Sequence, residues 1–332
     1  MLADRPERVW SEPSVEGSGR SGMIHGVTEG SGTRVRHVLL VLAGGALFGT
    51  AGTAAHFGPD DASSASVGFM RLSVGAVALF LIMPLVGGRW RNLPGLWRRP
   101  AIWVMAAGAA AYQPFFFGAV ERSGVALSTL VTVGIGPVYA GLLGWAFLRH
   151  RPTRAWAMAT LVAVLGLVLL SWGEIRIGDP LGPLMALLAG LGAASYVVAA
   201  KHELDRGGHS VELPGAAYLL GSVLLIPVVM RESFAWLAQP SGAAVALYLG
   251  IVTMGIANVF SVRGMRGMGP GPAATLLLAD PLTATILGVA VLGETLSPVE
   301  GIGLVLVLLG LLLQAYALRP TRPGIEEPTP VL

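Results

Sequence analysis

The chain has no cysteine, which excludes a disulfide framework and any thiolate metal site. Lysine occurs once, at Lys201, and no G-x-x-x-x-G-K-[ST] loop surrounds it. The phosphate cradle of an ATP-driven pump is therefore missing. Gly17, Gly19 and Gly22 match G-x-G-x-x-G, but neither a strand before them nor a helix after them is predicted, so they carry no nucleotide reading. Charge is scarce: charged residues make up 12% of the 332 positions, about half the usual share of a soluble domain. That is too little to solvate an enzyme of this size. Aromatic residues are few, at 7%.

Hydrophobic residues fill 54% of the chain, and its mean hydropathy is +0.69. They form ten apolar runs, at 37–57, 64–86, 101–120, 124–148, 154–172, 180–200, 212–230, 242–261, 270–292 and 297–318. Each holds about 19–25 residues, enough to cross a hydrocarbon core of about 30 Å. The loops between them are too short for a catalytic domain. No enzyme is expected, and any function must lie between the helices. Residues 1–36 are polar and rich in glycine and serine, and read as a disordered cytoplasmic tail rather than a signal peptide. Residues 319–332 read as a second cytoplasmic tail.

The net charge of +3 belongs mostly to arginines in the loops. It is an orientation signal, not a nucleic-acid surface. With the N-terminus in the cytoplasm, eighteen of the 22 basic residues lie on the cytoplasmic side. Arg122, Arg176 and Arg231 lie outside, and Arg71 lies within a span. This bias predicts a multi-pass protein of the cytoplasmic membrane with both termini inside.

The chain repeats itself. A shift of 144 residues carries Arg122 onto Arg266, Pro137 onto Pro281, Ala140 onto Ala284, Gly144 onto Gly288 and Leu148 onto Leu292. It also carries Leu165-Gly166-Leu167 onto Leu309-Gly310-Leu311. A shift of 146 carries Leu42-Ala43-Gly44 onto Leu188-Ala189-Gly190. The halves are 37–172 and 180–318. Each has five spans, an odd number, so the second is predicted to cross the membrane in the opposite sense. Inverted repeats of this kind build many secondary transporters.

The run Gly264 to Ala274, GMRGMGPGPAA, leads into Leu278-Ala279-Asp280-Pro281-Leu282, and Leu292-Gly293-Glu294-Thr295-Leu296 closes that span. With Phe48-Gly49-Thr50, Arg71 and Gly136-Pro137 in the first half, this resembles the EamA-type transporters of the drug/metabolite transporter superfamily. The resemblance covers about residues 37–318. It implies an all-α polytopic membrane protein of ten transmembrane helices, arranged as two inverted five-helix repeats. It also implies export or exchange of small metabolites, often amino acids or drugs. Two positions depart from the pattern: Phe48 stands where tryptophan is usual, and Arg149-His150 stands where Gly-Glu is common.

Asp280 is the only acidic residue near the middle of a span, about 17 Å into it. A charge there costs about 2.5–3.5 kcal/mol on insertion scales. It is a candidate for proton coupling or for a substrate ammonium; alternatively, it bonds backbone groups freed by Pro281. Arg71 lies about 10 Å from the outer end of span 2. It either clamps a substrate carboxylate, pairs with Asp280, or snorkels to the surface. Pro137 and Pro281 are candidate kinks at equivalent positions. Tyr112, Gln113, Thr132, Tyr139, Tyr196, Asn258 and Gln314 are the remaining candidate contacts, hydrogen bonding between helices being their commonest use. No metal set, catalytic triad or cofactor is expected.

The leading expectation is a secondary transporter that exports small metabolites, amino acids foremost, with proton coupling through Asp280. The expected partners are a small-molecule substrate and the lipid bilayer, not nucleic acid. The alternatives are efflux of lipophilic cations and a membrane receptor or assembly factor that transports nothing.

Overall fold

A computed structural model describes residues 31–172 and 179–319. Most of the N-terminal tail, Arg176 and the C-terminal tail beyond Arg319 lie outside the described residues. Eight helical stretches are long and apolar enough to cross a membrane, and Arg154–Leu170 is a shorter apolar helix. One of the eight, Pro100–Leu148, has 49 residues. As a single rod it would be about 73 Å long, more than twice a hydrocarbon core. Gly124 interrupts it, with φ 77° and ψ 166°, a backbone conformation that only glycine adopts without strain.

Counted on either side of Gly124, the described residues hold ten membrane segments. They are α1 (Ser31–His56), α2 (Ser64–Ile82), α3 (100–123), α4 (125–148) and α5 (Arg154–Leu170) in the first half. The second half holds α6 (Leu181–Asp205), α7 (Glu212–Val229), α8 (Pro240–Gly267), α9 (Pro270–Leu292) and α10 (Pro298–Ala317). In place of the loop expected between the third and fourth spans, one glycine redirects the chain. Span 6, expected to end at residue 200, runs on as α6 to Asp205. Lys201 is therefore helical and buried, with Nζ 2.7 Å from Asp205 one turn on.

Local chemistry sets the ends. Ser63 and Thr153 accept hydrogen bonds from Ser66 N and Trp156 N at 3.2 and 3.1 Å. Ser297 and Glu300 form a reciprocal capping box, which satisfies amides that have no helical acceptor. Proline opens α3, α8, α9 and α10, where its missing N–H costs nothing.

The helix pairings are the same when the halves are exchanged. α2 packs on α7 and α5 on α10, equivalent on equivalent. α1 packs on α8 and α9, and α6 packs on α3 and α4. At α5–α10 the match reaches single residues. A Cβ on Gly166 would lie 2.5 Å from Val307 N, and one on Gly310 would lie 2.6 Å from the Ala163 Cβ. The 144-residue shift turns Gly166 into Gly310 and Ala163 into Val307, so these are two copies of one contact.

The ends of α4 and α9 match too. Gly293 caps α9 at φ 73°, and Arg149, its equivalent, caps α4 at φ 58°. His150 N reaches Gly144 O and Glu294 N reaches Gly288 O, both at 3.1 Å. The departure at Arg149-His150 thus changes the residue but not the backbone. Left-handed backbone costs a side-chain-bearing residue about 1 kcal/mol. Arg149→Gly is expected to raise the thermal unfolding midpoint of the solubilised protein by less than that energy, because glycine also adds entropy to the unfolded chain; a lower midpoint would show that the arginine side chain compensates.

The buried core is dominated by residues such as Leu72, Leu79, Ile102, Met105, Leu213 and Leu276. The outward surface is apolar as well, with Leu81, Phe147 and Val305 exposed, as a lipid-facing surface requires.

Candidate functional site

α2 presents Gly68, Arg71 and Gly75, spaced to share one face. The two glycines let neighbours close in. A Cβ on Gly68 would meet Gln113 Oε1 at 2.8 Å, and one on Gly75 would meet the Met254 Cβ at 2.6 Å. Arg71 lies between them and points inward rather than snorkelling to the surface. Its Nη2 is 3.8 Å from the Met254 sulfur, and its Nε is buried without a hydrogen-bond partner.

Asp280 reaches the same region from the other half. Proline at 281 has no N–H to offer the Leu277 carbonyl and crowds it. The helix accordingly breaks between Leu276 and Ala279, and Asp280 N, one residue early, donates to Leu277 O at 3.0 Å. The freed carbonyl is thus satisfied by the Asp280 backbone, not by its side chain. Asp280 falls in the first turn of the second half-helix. α1 rests against this break, because a Cβ on Gly49 would collide with Asp280 O and approach Thr283.

Arg71 and Asp280 are close enough to feel each other's charge, yet no ion pair within 4 Å joins them among the described residues. Tyr112 feels both charges, and its ring stacks on Phe116 with centroids 5.3 Å apart. Tyr218 on α7 feels Arg71 and stacks on Tyr196 of α6 at 5.8 Å. The site therefore draws on α2, α3, α6, α7, α8 and α9, from both halves.

Of the residues expected from sequence, Arg71, Asp280 and Tyr112 come together. Gln113 borders them, buried with an unpartnered Oε1, and Tyr196 joins through Tyr218. Thr132 does not join them: its hydroxyl donates to Ala186 O at 3.1 Å and staples α4 to α6. Tyr139 packs on Ala140, Ala194 and Ala274. Asn258 is buried in α8, and Gln314 is buried in α10 with an unpartnered Oε1. Pro137 lies inside a helix that continues past it, unlike Pro281.

Tyr218 and Met254 escaped sequence reading. So did the wide π turn at Leu249–Ile256 in α8, a device that recurs at functional sites. Gly250 and Gly255 are its only local signal. Among the described residues no group of His, Cys, Asp and Glu can hold a metal ion.

The model of the EamA-like transporter family matches residues 35–172 and again 180–316. "Uncharacterized transporter YwfM" of Bacillus subtilis (strain 168) is 34% identical over 283 residues, covering 85% of this chain and 94% of that protein. A "Probable terminal-alkyne amino-acid exporter" of Streptantibioticus cattleyicolor is 26% identical over 261 residues, covering 77% of this chain and 85% of that protein. A solved crystal structure matches with a TM-score of 0.74 over 85% of this chain and 97% of its own, at 19% identity, a likeness of fold alone. Matched twice, once along each five-helix half, this chain belongs to the EamA-like transporter family.

Proposed function

We propose that this member of the family is a secondary transporter that exports small zwitterionic metabolites, amino acids foremost, across the cytoplasmic membrane. One observation carries the reading: Arg71 and Asp280 bring opposite charges from opposite halves to one region without pairing with each other. An amino acid presents a carboxylate to the guanidinium and an ammonium to the Asp280 carboxylate, with Tyr112 beside both. Charge-assisted hydrogen bonds of this kind contribute about 1.5–3 kcal/mol each. The name of the Streptantibioticus relative, an amino-acid exporter, supports the same substrate class.

The proposed mechanism is alternating access. Two five-span halves of opposite orientation exchange conformations around the site between them. Asp280 takes up a proton from outside and releases it inside, in exchange for substrate moving outward. The break in α9 supports this role, since half-helix ends at membrane depth suit charged cargo.

Counterflow in proteoliposomes, with labelled amino acids and cationic dyes, tests the proposal. Arg71→Gln is expected to raise the KM for amino acids about 10- to 100-fold by removing one such interaction. An unchanged KM would take Arg71 out of the binding site. Transport of dyes without competition from amino acids would favour cation efflux. The stacked rings of Tyr112 and Phe116 suit that alternative, but the charge of Arg71 opposes it.

A further inference from the structure

The arginine-rich face carries a pocket of about 620 Å³, away from Arg71 and Asp280. Arg89, Arg91 and Arg99 line it from the connection between α2 and α3. Arg206 and His209 line it from the connection between α6 and α7, and Glu212 from the start of α7. Two buried carboxylates hold the walls together. Glu212 accepts from Arg89 N at 2.7 Å and from Asn92 Nδ2 at 2.8 and 3.0 Å. Glu203 pairs with Arg99 at 2.6 Å. Both acidic side chains are thereby engaged. The side chains of Arg89, Arg91 and Arg206 have no ion-pair partner among the described residues. Three arginines without an ion pair thus line one pocket against the single unpaired carboxylate of Glu212, a net positive lining that suits an oxyanion.

The neighbours fix its depth. Trp90, Trp97 and Trp103 are exposed beside the pocket. Each turns its indole N–H back onto the protein: Trp90 to Phe80 O at 2.7 Å, Trp97 to Ala216 O at 3.1 Å and Trp103 to Trp97 O at 2.8 Å. Exposed tryptophans at helix ends mark the headgroup level of a bilayer. An oxyanion available at that level is the phosphodiester of a phospholipid, and net negative lipids are drawn to such basic sites.

We infer that this pocket is a binding site for the phosphate of an anionic phospholipid headgroup, held by Arg89, Arg91 and Arg206. It bridges the first half to the second, so an occupied pocket ties the two halves together on this face. The assignment does not depend on which solute is transported.

Native mass spectrometry of the full chain, purified with equal amounts of phosphatidylglycerol and phosphatidylcholine, tests it. The unaltered protein is expected to retain phosphatidylglycerol preferentially. Arg91→Gln with Arg206→Gln is expected to lower that preference about tenfold or more. Each single change, kept in case the pair does not fold, should give part of the loss. Arg151→Gln, an exposed arginine of the connection between α4 and α5 outside the pocket, should leave the preference intact. Equal retention of the two lipids would overturn the inference. So would a loss with Arg151→Gln as large as with the pocket pair, which points to general surface charge. In a third arm, displacement of phosphatidylglycerol by millimolar inorganic phosphate would reassign the pocket to a free anion.

Discussion

Asp280→Asn is expected to abolish uptake driven by a pH gradient while leaving the protein folded. The substitution keeps the size of the side chain and much of its hydrogen-bonding capacity, but it removes the carboxylate that the proposed cycle uses to carry the proton. Stability is expected to hold, because an ionised carboxylate in a span costs about 2.5–3.5 kcal/mol that the amide does not. The backbone bond at the break is made by Asp280 N, which the variant keeps. Proteoliposomes loaded with substrate, with and without an imposed pH gradient, give the first readout. The unfolding midpoint gives the second. Proton-driven uptake that survives in a folded variant would move the coupling group elsewhere. Loss of gradient-driven uptake with retention of simple exchange would mean that Asp280 couples but does not hold substrate.

Gly166→Leu and Gly310→Leu are expected to be among the most destabilising single changes in the chain. In each case the new Cβ would fall within about 2.6 Å of atoms in the opposite helix. At Gly166 the neighbours are backbone atoms, Val307 N and Gly303 O, which cannot rotate away. Overpacking typically costs about 1–3 kcal/mol, and more where backbone must move. Because the two contacts are copies of each other, the two variants should lower the unfolding midpoint by similar amounts. The double variant should cost less than the sum, since helices already forced apart relieve the second clash. Gly301→Leu in the same helix is the control: a Cβ there meets nothing within 4 Å, and its effect should be near zero. A marked inequality between Gly166→Leu and Gly310→Leu would break the residue-level equivalence of the halves.

Ten spans, two halves and two charged residues inside spans are legible in the order of amino acids alone. These are local properties: an apolar run is long enough or it is not, and a charge inside one stands out because burying it is costly. The equivalence of Arg149 with Gly293 was legible as an offset of 144 residues. That the arginine adopts the cap of a glycine was not, since the carbonyls of the preceding turn dictate that backbone. Which polar groups meet is set by packing. Thr132, Tyr139 and Tyr112 look alike on paper as single polar residues in apolar helices. Which of them lies near Arg71 depends on the rotation of each helix and on its neighbour, both set by contacts between distant parts of the chain. The two prolines make the same point. Pro137 and Pro281 occupy equivalent places, yet only the second lies at a break in its helix, because a proline's effect depends on whether surrounding helices re-satisfy the backbone it disturbs.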